Sequence, residues 1–351
     1  MGTAGVPANY GGFETLAEYL VRNLGDKLKF TVYCSSLNYN LRRSVYKNAR
    51  LVYIPLNANG VSSIFYDCIS LIHSIYSSST ILVLGVSGAI LFPFIRIFTK
   101  KKVIVNIDGL EWKRSKWSRL PKMYLKWQEK LAVKYSHEVI ADNISIQKYI
   151  TKKYDKKSVL IEYGGDHSNT EKLDENIKSE FNLMESYAFT VCRIEPENNI
   201  HIILEAFSKL EYPIVIVGNW NSNNYGQSLR KQYTNCNSTQ ILDPIYDQHK
   251  LNQIRSNCSL YIHGHSAGGT NPSLVEAMSL RLPIFCWNVN YNRHTTENKS
   301  KYFNSSKRLI ELVESTSKKE LSHIAENMHR IANRKYTWKK IAVEYERILS
   351  P

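Results

Sequence analysis

At 351 residues the chain is longer than one hydrophobic core usually serves, which points to two domains. Its 43% apolar and 22% charged residues form an ordinary globular mixture and exclude a disordered chain, a collagen-like fibre and a disulfide miniprotein. The net charge of +15 is lopsided: residues 1–165 hold 24 of the 46 Lys and Arg but only 11 of the 31 Asp and Glu, leaving +13 there and +2 in the remainder. That first half is expected to face a polyanion, nucleic acid or an anionic membrane, against the plainer reading of a solubilising surface.

The chain opens on GTAGVPANYGGFETLAEYL, where Gly2, Gly5, Asn9, Tyr10, Gly11 and Gly12 lead into a helix expected from about Phe13. Glycines there let backbone approach a ligand and leave N–H groups at a helix start for an anion or sugar hydroxyls. No GK[ST] follows, so this is not a Walker loop. A basic n-region with an apolar run behind it is lacking too, so no signal peptide is read and a cytoplasmic protein is expected.

Short β-rich runs then alternate with amphipathic segments. Strands are expected over residues 29–35, 50–56, 80–85, 102–108, 137–143 and 158–164. The apolar stretch 81–98 is interrupted by Gly85, Gly88, Pro93 and Arg96, so it reads as a buried strand, a turn and a short helix rather than a membrane span. Residues 96–134 carry 12 basic against 3 acidic residues, interleaved with Phe98, Trp112, Trp117, Tyr124 and Trp127. That mixture is the pattern of a surface seated on anionic lipid. No nucleic-acid-binding motif accompanies it.

Polar residues 166–180 mark a linker or an exposed loop and helix, after which the rhythm restarts with strands at 187–194, 212–218, 239–243, 258–264 and 282–288. Strand and helix in alternation imply two Rossmann-like, doubly wound parallel sheets, whose ligands lie beyond the carboxyl ends of the strands. Two post-strand segments of the second sheet carry chemistry. Arg193 directly follows the first strand, where a guanidinium can clamp a phosphate, although an arginine there is by itself more often a surface ion pair. HGHSAGGTNPSLVEAM, residues 263–278, places Gly268, Gly269 and Thr270 ahead of a helix capped by Asn271, started by Pro272 and carrying Ser273 and Glu276. Such a start suits a diphosphate, with Glu276 accepting from a nucleoside hydroxyl; alternatively Glu276 only complements the helix dipole. His263 and His265 are a weak signal. The six cysteines show neither CxxC pairing nor zinc spacing and are expected to be reduced and mostly buried.

Strand, Arg193, PEN, helix, VGNW (217–220), then GGTNPSLVEAM, in this order, resemble the GT-B glycosyltransferases of the retaining family 4. GVPANYGGFETL and GGTNPSLVEAM look most like the bacterial rhamnosyltransferase subgroup that builds capsule and cell-wall polysaccharide. The resemblance implies an α/β chain of two Rossmann-like doubly wound parallel-sheet domains facing a cleft. Residues 1–165 would bind acceptor, 166–335 would bind nucleotide sugar, and a helix in 336–351 would pack back on the first domain. It further implies Arg193 on the diphosphate, Glu276 on the ribose or deoxyribose, no metal or other cofactor, and a lipid-diphosphate-linked saccharide acceptor met at the inner face of the plasma membrane. Asp108 and Glu111 would bind acceptor hydroxyls or take the acceptor proton, or else pair with Lys113 and Arg114. A sugar-nucleotide epimerase of the same fold is the reading from a different enzyme class.

Three departures from that family stand out. Gly268 replaces the earlier of two glutamates eight positions apart, and Asn198 stands where a lysine is common. The family's first parallel strand would precede GTAGVPANYGG, and its loss from the sheet is expected to be destabilising.

Overall fold

The computed structural model describes residues 1–8, 11–107, 109–114 and 117–350. The chain divides into two compact units, Met1–Tyr163 with Trp338–Pro351, and Gly164–Thr337.

In the first unit, β1 (Thr31–Ser35) pairs in parallel with β3 (Ala49–Ile54), whose outer edge takes the two-residue β2 (Val45–Tyr46) antiparallel. A second sheet, all parallel, runs β4 (Thr80–Leu84), β5 (Lys102–Ile107), β6 (Glu138–Ala141), β7 (Val159–Leu160) in that spatial order. Val83, Val103, Ile104, Val105, Val139 and Ile140 are fully buried, as strands covered on both faces require. The first residues of the chain join the two sheets: Leu84 N–H donates to the Met1 carbonyl (3.0 Å) and Ser35 N–H to that of Ala4 (2.9 Å). The helix Trp338–Leu349 closes this unit against the helix Gly12–Leu24. Tyr19 stacks on Trp338 at 4.6 Å, and Asn106 of β5 donates to the Tyr345 hydroxyl at 2.6 Å.

The second unit is one parallel sheet of β8 (Ala188–Val191), β9 (Ile214–Val217), β10 (Thr239–Leu242), β11 (Leu260–His263), β12 (Ile284–Trp287) and β13 (Lys301–Phe303). Its spatial order is β10-β9-β8-β11-β12-β13. The chain therefore winds outward from β8 in one direction, returns, and winds from β11 in the other. The crevice between β8 and β11 is the switch point at which such sheets receive ligands.

Each strand expected from the sequence is present. β2 and β13 were not anticipated: two and three residues at sheet edges are too short to show a period. Stretch 81–98 resolves into β4, a 3₁₀ turn at Ala89–Leu91 and the helix Phe92–Phe98. No helix among the described residues is long and apolar enough to cross a membrane. All six cysteines are free, with Cys34, Cys258 and Cys286 buried and the other three half-buried.

Candidate functional site

The loops that follow β8 and β11 are laced together at the switch point. Ser266 N–H and Ser266 Oγ both donate to the Glu197 carbonyl, each at 2.8 Å, and Asn199 Nδ2 donates to the Gly264 carbonyl at 2.8 Å. The two backbones run so close that a Cβ on Gly264 would collide with the Asn198 carbonyl. Asn198 is buried; its amide donates to the Arg193 carbonyl (2.7 Å) and its Oδ1 lies 2.9 Å from His265 Nδ1. A lysine at this position would put a charge where the fold has a latch. Asn198 is thus a structural departure: it fixes the backbone that carries Arg193 instead of adding a cation.

The helix Pro272–Ser279 starts as its sequence dictates. Asn271 Oδ1 accepts from Ser273 N–H (3.0 Å) and Ser273 Oγ (2.8 Å), Pro272 occupies the first turn, and that turn holds no acidic residue. Ahead of it Gly268 has φ +148°, and a Cβ there would stand 2.8 Å from His265 Nε2. Where the family carries a glutamate, this chain seats an imidazole against bare backbone. Gly269 and Thr270 are buried, and Gly268 beside them is half-buried. His265 is fixed by Asn198 and by Asn292 Nδ2, which donates to its carbonyl at 2.9 Å. His263 is buried against Tyr261, and burial pushes its imidazole down to about 3. It is a neutral core residue, and no cluster of metal-ligating side chains occurs among the described residues.

Glu276 has partners that the sequence did not disclose. One carboxylate oxygen is held by Arg255 Nη1; the other lies 3.1 Å from His167 Nε2. Arg255 is 1% exposed and donates through Nη2 to Ser168 Oγ and Asn252 Oδ1, both at 2.8 Å. Burial alone would raise the Glu276 carboxyl, but the Arg255 charge and the His167 hydrogen bond outweigh it and hold it down to about 2. Glu276 is therefore an ionised acceptor at neutral pH. Arg255, His167 and Ser168 were missed by sequence reasoning. Arg255 did carry a signal, since it sits one turn after Leu251 on the buried face of the helix Gln248–Ser256, and a cation there demands a carboxylate. His167 and Ser168 stand in the polar stretch read as a linker or exposed loop.

Arg193 is less constrained: its side chain is 41% exposed, with Nε 4.0 Å from Glu195 Oε2. The guanidinium stands on the loop latched to the one bearing Gly268.

Asp108, Asn9 and Tyr10 lie outside the described residues. Glu111 pairs with Arg114 (Oε2 to Nε, 2.8 Å), the ion pair that the sequence also offered, and accepts from Trp117 Nε1 (3.1 Å). The opening glycines serve packing. A Cβ on Gly2 (φ +86°) would run into the Leu84 carbonyl, and one on Gly5 (φ +128°) would stand 2.6 Å from Cys34 Sγ. Two of the loop's amides are taken internally, Ala4 N–H by Glu14 and Ala8 N–H by Glu18, each at 2.6 Å. Gly11 and Gly12 do start the helix Gly12–Leu24, but Glu14 occupies its first turn, so an anion there would meet a carboxylate.

Residues 171–338 match the family model described as Glycosyl transferases group 1, and residues 1–166 match one described as Domain of unknown function (DUF1972). No curated protein matches the chain in sequence. Among solved structures it is similar to sucrose-phosphate synthase from Thermosynechococcus elongatus (TM-score 0.78, 12% identity, covering 96% of this chain and 91% of that one). It is also similar to Anabaena HepE, solved in complex with UDP and glucose (TM-score 0.76, 14% identity, 98% and 97% covered). Identities this low speak for the fold.

Proposed function

We propose that the chain, which has the GT-B fold and matches the group 1 glycosyl transferases over its second unit, is a glycosyltransferase that transfers L-rhamnose from dTDP-rhamnose, with retention, to a lipid-linked saccharide in bacterial surface-polysaccharide synthesis. The observation that carries the donor site is the latched pair of loops at the β8/β11 switch point. It combines a helix start capped by Asn271 and free of acid in its first turn with Arg193 on the neighbouring loop.

In this reading Arg193 and the amides of Gly268, Gly269 and Thr270 take the diphosphate oxygens, opposing the charge that grows on the leaving group as the glycosidic bond breaks. Glu276, kept ionised and oriented by Arg255 and His167, accepts from a hydroxyl of the nucleoside sugar. The acceptor hydroxyl attacks the anomeric carbon on the face the diphosphate leaves, and its proton passes to the departing phosphate oxygen. No divalent ion is required, because guanidinium and helix-end amides provide the positive potential. On the first unit, Asp108 or Glu111 would bind acceptor hydroxyls or take the acceptor proton.

Support for rhamnose is the likeness of GVPANYGGFETL and GGTNPSLVEAM to the rhamnosyltransferase subgroup. A second reading, another nucleotide sugar, is favoured by HepE, whose complexes hold UDP and UDP-glucose. Incubating the full-length protein with dTDP-, UDP- and GDP-sugars and a synthetic lipid-diphosphate saccharide, with mass spectrometry of the product, separates them. A deoxyhexose increment from dTDP-rhamnose alone supports the first reading; a hexose increment from a UDP- or GDP-sugar replaces it with the second.

A further inference from the structure

Three helices of the first unit turn apolar stripes to solvent at helical spacing. On Ser62–Ser77 the exposed residues are Phe65, Ile69, Ile72 and Tyr76; on Phe92–Phe98 they are Phe94, Ile97 and Phe98; on Arg119–Tyr135 they are Leu120, Met123 and Trp127. Spacings of three and four residues put each set on one face of its helix. The faces adjoin. Phe92–Phe98 packs on Arg119–Tyr135 and on the 3₁₀ turn Ala89–Leu91, and Gly88, just before that turn, meets Asp67 and Leu71 of the first helix closely enough that a Cβ would stand 2.9–3.0 Å from their side chains. Phe98 is 78% and Leu120 77% exposed. Apolar side chains this exposed on two helices packed together mark an interaction site rather than scattered exposure.

Charge says which kind. The only acids on these helices, Asp67 and Glu129, are both buried, whereas Arg96, Arg119, Lys126 and Lys130 are exposed. The surface therefore shows apolar and cationic groups and no exposed carboxylate among its described residues. This differs from what the sequence suggested, because Trp112 is not an interfacial anchor. Its indole N–H donates to buried Glu129 at 2.8 Å, and Lys113, Lys126 and Lys153 lie 5.1–5.6 Å from its ring centre.

We propose that the exposed face of Phe92–Phe98 and Arg119–Tyr135 seats in the headgroup and upper acyl region of an anionic bilayer, with Phe94, Ile97, Phe98, Leu120 and Met123 inserted and Arg96, Arg119 and Lys130 on the phosphates. The proposal gives the lipid-linked acceptor its surface and rests on that reading of function. Apolar insertion combined with cationic contact predicts binding that salt weakens without abolishing, unlike a purely electrostatic patch.

The test is flotation of the full-length protein with phosphatidylcholine vesicles and with vesicles containing phosphatidylglycerol, at low and high salt. It is repeated with Phe94→Ser/Phe98→Ser/Leu120→Ser and, separately, with Arg96→Gln/Arg119→Gln/Lys130→Gln. The expected result is preference for the anionic vesicles, with partitioning reduced about tenfold or more by the serine variant and salt dependence flattened by the glutamine variant. Equal flotation of the serine variant overturns the proposal. So does a wild-type chain that ignores vesicles and self-associates through this face, shown by a lower sedimentation coefficient in the serine variant. Sugar-nucleotide binding, measured in parallel, separates the two claims. Its retention with loss of flotation leaves the transferase reading standing, and flotation without any sugar-nucleotide binding breaks that reading alone.

Discussion

The two glycine-rich loops that precede helices look alike as sequence and serve opposite ends. In the first unit the loop before Gly12–Leu24 spends Gly2 and Gly5 on close packing and supplies its own anions, Glu14 and Glu18, to the amides of Ala4 and Ala8. In the second unit the loop before Pro272–Ser279 has Gly268 in the left-handed region, an Asn cap, and no acid until Glu276, which is already paired with Arg255 and lies beside His167. Glycine before a helix licenses close approach, but the carboxylates of the first turns decide whether an anion is welcome. Among the described residues, the first loop's amides meet its own carboxylates, whereas the second loop's helix start meets none before Glu276.

The largest effect expected is at Glu276. Its removal strands the buried Arg255 cation, so Glu276→Ala costs about 3–5 kcal/mol of stability in urea unfolding as well as donor binding. Glu276→Gln costs less, and loss of donor binding in that variant at a modest stability change separates the two roles. A fully stable Glu276→Ala protein would refute the pairing.

Acid reads the same pair. Because the folded carboxyl is held to about 2 from an ordinary 4.5, its contribution of about 3 kcal/mol is present above the unfolded value and is lost as pH falls from about 4.5 toward 2. Glu276→Gln flattens that limb of the stability profile; an unchanged limb contradicts the assignment.

Gly268→Ala tests the second loop. A Cβ against His265 Nε2 and an unfavourable φ are expected to cost about 1–3 kcal/mol, read as a raised KM for the donor. Unaltered donor kinetics would mean that this loop is not at the donor.

The smallest effect belongs to the first loop. Glu14→Ala frees the Ala4 amide and costs about 1 kcal/mol of stability, with donor KM unchanged. A weakened donor affinity there would erase the contrast between the loops.

How much of this was legible depends on the range of the forces involved. The Asn271 cap and the Pro272 start are local and could be read directly, as could the strands whose apolar runs exceed four residues. The Glu276 partners come from residues 255 and 167, and no pattern near Glu276 announces them. Arg255 showed only as a charge at a core position of its helix. Trp112 misled for a related reason: basic and aromatic residues in one stretch do not say which ring faces inward, and the buried Glu129 that claims its N–H is seventeen residues away. β2 and β13 exist because a neighbouring strand's edge was available, and so few residues carry no pattern of their own.

The claim on which the rest depends is that the loops after β8 and β11 bind a sugar nucleotide. Calorimetric titration of dTDP-rhamnose and UDP-glucose into the full-length chain and into Arg193→Ala tests it most directly, because Arg193 carries the guanidinium proposed to hold the diphosphate and its side chain is 41% exposed. The account predicts binding of one of these donors to the wild-type chain and a loss of about 2–4 kcal/mol in the variant, the range for a charge-assisted phosphate contact. Equal affinity in the two proteins would contradict it.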